Sequence, residues 1–134
     1  MRKLAREVAF KMIFENLFRQ SEEFNEDCFV VLKDDESLSE EDSAFSKCLF
    51  DAYIQNKQLL LNVVAPALNG YEISRAYKVD LALIMLAVAE IKFVGTDKKI
   101  VINEIVNMAK KFSTDKSPKF VNGVLATLVG GDGN

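Results

Sequence analysis

The stretch Lys78–Val94, KVDLALIMLAVAEIKFV, constrains this chain more than any other. Nine consecutive apolar residues, Leu81–Ala89, lie between Asp80 and Glu90. At helical pitch they point in every direction and leave no solvent face. A helix that is apolar all round belongs at the centre of a bundle or in a membrane. Nine residues rise only about 13–14 Å, well short of a hydrocarbon core of roughly 30 Å. The stretch is therefore predicted as the central helix of a soluble domain. Gly95 reads as its C′ stop, and Ala82, Ala87 and Ala89 let neighbouring helices approach closely.

The remainder of the chain fits around such a helix. Its 134 residues suffice for one domain with a core of its own. A hydrophobic fraction of 49% with 28% charged residues excludes disorder. Six Gly and two Pro, with apolar residues recurring at three and four, point to an all-α protein of about seven helices. Cys28 and Cys48 are too few for a disulfide framework and lack metal-type spacing, so reduced thiols are expected. No apolar signal segment follows Met1, which points to the cytoplasm and away from a membrane.

The net charge of −3 argues against bulk nucleic-acid binding, but its distribution is uneven. Residues 1–20 carry five Lys or Arg against two acids, and residues 110–134 four against two. Residues 21–60 carry three against eleven. Two basic ends on an acidic protein can form a local cationic patch.

Along the chain, a first helix is predicted over Arg2–Arg19. Leu4, Ala5, Val8, Ala9 and Met12 form one apolar face; Phe10, Phe14 and Phe18 form a second stripe, with Lys3 and Lys11 beside it. Aromatics flanked by cations suit single-stranded nucleic acid, since rings stack on bases while Lys and Arg meet phosphate. Aromatic stripes more often mean burial, and Phe10 and Phe18 are read as core, Phe14 as open between the two. A second helix is expected from Ser21, a third from an N-cap at Ser39, and a fourth from Lys57, closed by Pro66 and Asn69-Gly70. The acidic run Asp34–Asp42 lacks calcium-loop spacing and reads as a solvated loop. Ser74 is expected to cap the approach to the central helix. Thr96 or Asp97 should cap a sixth helix, and Ser117-Pro118 open a seventh.

The segment INEIVNMAKKFSTDKSPKFVNGVLATL, Ile102–Leu128, resembles the C-terminal signature of the NusB family of transcription antitermination factors. LAREVAFKMIFE near the start and the central KVDLALIMLAVAEI agree with it, so the resemblance spans nearly the whole chain. It implies one all-helical NusB-like domain over residues 1–129, built of two packed helical subdomains, with a flexible tail at 130–134. It implies binding of single-stranded boxA-type RNA together with NusE, a ribosomal protein that doubles as a transcription factor, in an elongation complex with other Nus factors that supports processive transcription of rRNA operons. Carried onto this chain, the RNA-binding residues are Arg2, Lys3, Arg6, Phe14, Lys116, Lys119 and Phe120. The N-terminal cluster is interrupted by Leu4, and Phe14 stands where a tyrosine is frequent. Asn122-Gly123 is read as structural. The partner is implied to dock near the central helix, where Glu72, Arg75, Asp80 and Glu90 are the charged groups at the ends.

No active site is read. The chain has no His, which excludes His-based acid–base catalysis and nucleophile–His pairs, and no phosphate-binding Gly loop opens a helix. No metal or cofactor is expected. Two alternatives belong to other classes. One is a homodimeric regulatory or storage form with a masked RNA face. The other is a domain related to the RNA-binding N-terminal part of certain rRNA cytosine methyltransferases, whose catalytic Rossmann-like unit has no counterpart here.

Overall fold

Helix boundaries follow local chemistry wherever a cap is available. In the computed structural model, which describes residues 2–19, 23–68 and 77–130, seven α-helices and no strand occur among the described residues. They are α1 (Lys3–Arg19), α2 (Glu26–Asp35), α3 (Glu40–Gln55), α4 (Lys57–Val64), α5 (Lys78–Ala89), α6 (Lys98–Phe112) and α7 (Ser117–Val129). A 3-10 turn, Ala65–Leu68, extends α4, and a π-helical turn, Glu90–Val94, extends α5.

The Ser39 hydroxyl accepts the Asp42 amide at 3.1 Å and starts α3 as expected. Asp97, not Thr96, caps α6 by accepting from the Lys99 amide at 3.1 Å. The second helix starts later than expected, at Glu26, because the Asn25 side chain accepts the Cys28 amide at 3.1 Å. Ser117 is the first residue of α7 rather than its cap, with Pro118 in the first turn, where a missing N–H costs nothing. Gly95, at φ 89°, ends the long central element; its N–H closes a wide turn on the Glu90 carbonyl at 2.9 Å. Ser21, Asn69-Gly70, Ser74 and residues 131–134 lie outside the described residues.

The apolar run behaves as its composition demands. Leu81–Ala89 are each at most 1% exposed. α5 packs on α1, α3, α4, α6 and α7, so its uniform apolarity is met by five neighbouring helices. All the buried apolar side chains form one continuous core. The Ser46 hydroxyl is buried without a hydrogen-bond partner among the described residues, whereas other polar groups in the core are paired. The Tyr53 hydroxyl donates to Asn16 Oδ1 at 2.6 Å and Lys57 Nζ donates to the same oxygen at 2.9 Å, linking α1, α3 and α4. Among the described residues no helix is long and apolar enough to cross a membrane.

Candidate nucleic-acid interface

The C-terminal basic group sits where the loop between α6 and α7 runs into α7, and a buried carboxylate shapes that loop. Asp80, in the first turn of α5 and 8% exposed, accepts from Ser113 Oγ at 2.6 Å and from Ser117 Oγ at 3.0 Å. The Thr114 amide and hydroxyl both reach Ser117 Oγ, at 3.3 and 2.8 Å. With the Ser117 proton committed to Asp80, the Thr114 hydroxyl is the donor in the second contact. Four side chains thus close the loop on itself and moor it to the central helix. Lys116, at the end of the loop, and Lys119, in the first turn of α7, are both exposed. Phe120 is half-buried and rests against the core.

At the other end of the sequence, Arg2 and Lys3 are exposed. The Arg2 guanidinium lies 3.9 Å from the centre of the Phe45 ring on α3, a cation–π contact that restricts it without neutralising it. Arg6 differs from its expected role. It is 6% exposed and makes a two-pronged ion pair with Glu90, Nε to Oε1 at 2.8 Å and Nη2 to Oε2 at 2.7 Å. Hydrogen bonding to Glu90 holds the guanidinium above its ordinary pKa, against the opposing effect of burial. Arg6 is therefore not a surface cation for phosphate. Glu7, 1% exposed, receives Lys111 Nζ at 3.0 and 3.1 Å and so ties α1 to the end of α6.

The aromatic stripe of α1 grades from core to surface. Phe10 is buried, Phe14 half-buried and Phe18 63% exposed, which reverses the reading of Phe18 as core. The stripe continues across to α6, because Phe10 and Phe112 have ring centroids 5.2 Å apart. Lys11 and Lys111 place their ammonium groups 5.5 and 5.1 Å from the Phe112 ring. The structure therefore brings the outer edge of α1, with Lys11, and the end of α6 together, adding Lys111 and Phe112 to the residues singled out from sequence. Immediately after Phe112 the chain enters the loop that leads to Lys116 and Lys119. Lys11, three residues before Phe14 and seven before Phe18, was legible beside the stripe in the sequence; nothing local announced the Phe10–Phe112 contact.

The partner-facing expectations fare differently. Asp80 is not an open acidic receptor, because two hydroxyls occupy it. Glu90 is 0% exposed and wholly engaged by Arg6, so it offers no charge to solvent. Both follow from position: each borders the apolar run directly and is drawn inward with it. Glu72 and Arg75 lie outside the described residues. Among the described residues no cluster of His, Cys, Asp and Glu could hold a metal ion.

Residues 3–129 match the model of the NusB family. The chain is 33% identical over 129 residues to the transcription antitermination protein NusB of Lachnoclostridium phytofermentans, covering 96% of this chain and 98% of that one. It is 44% identical over 81 residues to the Campylobacter curvus protein of the same description, covering 60% of this chain and 62% of the relative's length. Among solved structures, a complex of antitermination factors NusB and NusE with dsRNA contains a chain that superimposes with a TM-score of 0.83. That match is at 25% identity and covers 95% of this chain and 94% of that one.

Proposed function

The chain belongs to the NusB family, and on that premise we propose that it is a transcription antitermination factor binding single-stranded boxA-type RNA together with the ribosomal protein NusE, in an elongation complex with other Nus factors that transcribes rRNA operons processively. Its role is binding, with no catalytic step. The observation that carries the reading is the Phe10–Phe112 contact, which joins an aromatic and cationic helix edge to the start of the α6–α7 loop leading to Lys116 and Lys119. Rings offer stacking surfaces to unpaired bases, and Arg2, Lys3, Lys116 and Lys119 offer exposed charge to phosphates. Phe14 and Phe120 are each half-buried against the core, leaving part of each ring accessible. Asp80 acts indirectly, by holding the loop that presents Lys116 and Lys119. NusE docking falls to the segment before α5, where Glu72 and Arg75 are the charged groups.

Titration of boxA-type RNA across a salt series tests the RNA half. With Arg6 internal, four cations remain, and log K should fall against log salt with a slope of roughly −2 to −3, at about 0.7 per contact for single strands. An affinity indifferent to salt rejects the interface. The same titration with NusE present tests the partnership: NusE should tighten RNA binding, and RNA should tighten NusE binding by the same factor. Glu72→Lys should weaken NusE association and leave RNA binding alone.

A further inference from the structure

Phe18 is the most exposed of the large hydrophobic side chains among the described residues, at 63%. A lone exposed Phe is ordinary. Phe18 instead ends a continuous run of rings. Phe112 meets Phe10 at 5.2 Å, Phe10 meets Phe14 at 6.4 Å, and Phe14 meets Phe18 at 4.9 Å with the planes at 70°. Contact with Phe14 restrains the Phe18 ring, while most of its surface faces water. The charges nearest in sequence are mutually satisfied. Arg19 donates to Glu15 at 2.6 and 3.2 Å and to the Glu23 carbonyl at 3.1 Å, and Asn25 donates to Glu15 at 3.3 Å. Hydrogen bonding from Arg19 keeps the Glu15 carboxyl below its ordinary pKa, so the pair stays charged but balanced.

We propose that Phe18 is a second base-stacking position, taking a nucleobase of single-stranded RNA next to the one at Phe14. The inference rests on the RNA-binding reading above. Ring geometry specifies the ligand further. Centroids 4.9 Å apart exceed the roughly 3.4 Å rise per nucleotide of a stacked strand, and planes at 70° cannot both carry bases that remain parallel to each other. Two neighbouring nucleotides must unstack to use both rings. An unpaired, flexible strand does this readily, whereas a duplex must first lose pairing and stacking. Phe18 therefore discriminates single from double strands and extends the RNA path one helical turn along α1 toward α2.

The test is a set of Phe18 variants titrated with single-stranded boxA-type RNA, with the corresponding duplex and with NusE, alongside thermal melting. Phe18→Ala should weaken single-strand binding about 5- to 150-fold, the range for one stacked base, with little change in duplex binding or melting temperature. The salt slope should stay constant, since stacking releases no counterions. Phe18→Tyr should restore affinity and Phe18→Leu should not, because a leucine keeps apolar area but has no ring face. Phe18→Ala binding RNA like wild type, while Lys119→Ala binds more weakly, overturns the proposal and spares the RNA reading. Loss of NusE association with unchanged RNA affinity also overturns it, making Phe18 a protein contact. A wild-type chain that binds no RNA overturns both.

Discussion

Glu90→Gln separates the internal role of this carboxylate from a surface one. The side chain is 0% exposed and its partner Arg6 is 7% exposed, with both carboxylate oxygens occupied at 2.7–2.8 Å. The substitution keeps shape and volume but leaves a guanidinium buried without its counter-charge. Removing one partner of a buried pair costs about 3–5 kcal/mol, because the survivor keeps its desolvation cost. Glu104 also acts on Arg6 through space and softens the loss, which places the expectation near the lower bound, about 3 kcal/mol. For a domain of this size that corresponds to a melting temperature roughly 10–15 °C lower. Urea unfolding should show the midpoint moving at constant m-value. A loss below about 1 kcal/mol would refute the argument, since that is the scale of an exposed pair. The double replacement Arg6→Met/Glu90→Met sharpens it: with no orphaned charge it should recover most of the loss or exceed wild-type stability. It should also leave the salt slope of RNA binding unchanged, whereas a phosphate-contacting Arg6 would flatten that slope by about 0.7.

Asp80→Ala strips the Ser113 and Ser117 hydroxyls of a charged acceptor, so stability should fall about 1.5–3 kcal/mol and RNA affinity should fall with it, while NusE association holds; weakened NusE association alone would return Asp80 to the partner surface. Gly95→Ala forces φ 89° on a residue with a Cβ, although nothing lies within 4 Å of that carbon, so melting should report a backbone cost alone, about 1–2 kcal/mol. Burial pushes the Tyr53 hydroxyl above its ordinary pKa. The folded state therefore keeps a proton that the unfolded chain releases above about pH 10, and Tyr53 makes stability fall as pH rises past that point, by at most about 1.4 kcal/mol per pH unit. Tyr53→Phe loses the bond to Asn16 at neutral pH, so its deficit against wild type should shrink between pH 9 and 11 in paired urea titrations.

What could be read from sequence was local. The apolar run of α5, the Ser39 cap and the Gly95 stop each depend on residues within a turn or two, and each appears where the pattern placed it. What could not be read joins distant segments: Arg6 to Glu90 across 84 positions, and Asp80 to Ser113 across 33. Charge type alone suggested the surface for all three groups. A subtler signal was present, since Arg6 stands four residues before buried Phe10 and Glu90 follows the apolar run without a break. The Phe18 error has the opposite origin. Periodicity assigns a face but does not say where the helix outruns the core, and α1 does so between Leu17, 7% exposed, and Phe18.

These placements change how an acidic protein can hold RNA. Of the five cations in the first twenty residues, Arg6 is committed to Glu90 and Arg19 to Glu15, while Lys11 caps the Phe112 ring. Arg2 stacks on Phe45, one turn beyond Glu41 and Asp42 in the acidic first turn of α3. Even at about 4 Å in bulk water two unit charges interact by only about 1 kcal/mol, so those carboxylates oppose a phosphate at Arg2 weakly. Screening, with a Debye length of about 8 Å at physiological salt, weakens that opposition further. The overall charge of −3 therefore neither steers RNA toward the protein nor prevents its landing. On the interface proposed above, attraction is confined to contact distance, where phosphate contacts from the exposed cations set the strand's register. Discrimination on that proposed interface falls to shape: the graded rings of α1, and a loop that the buried Asp80 ties to the central helix through Ser113 and Ser117.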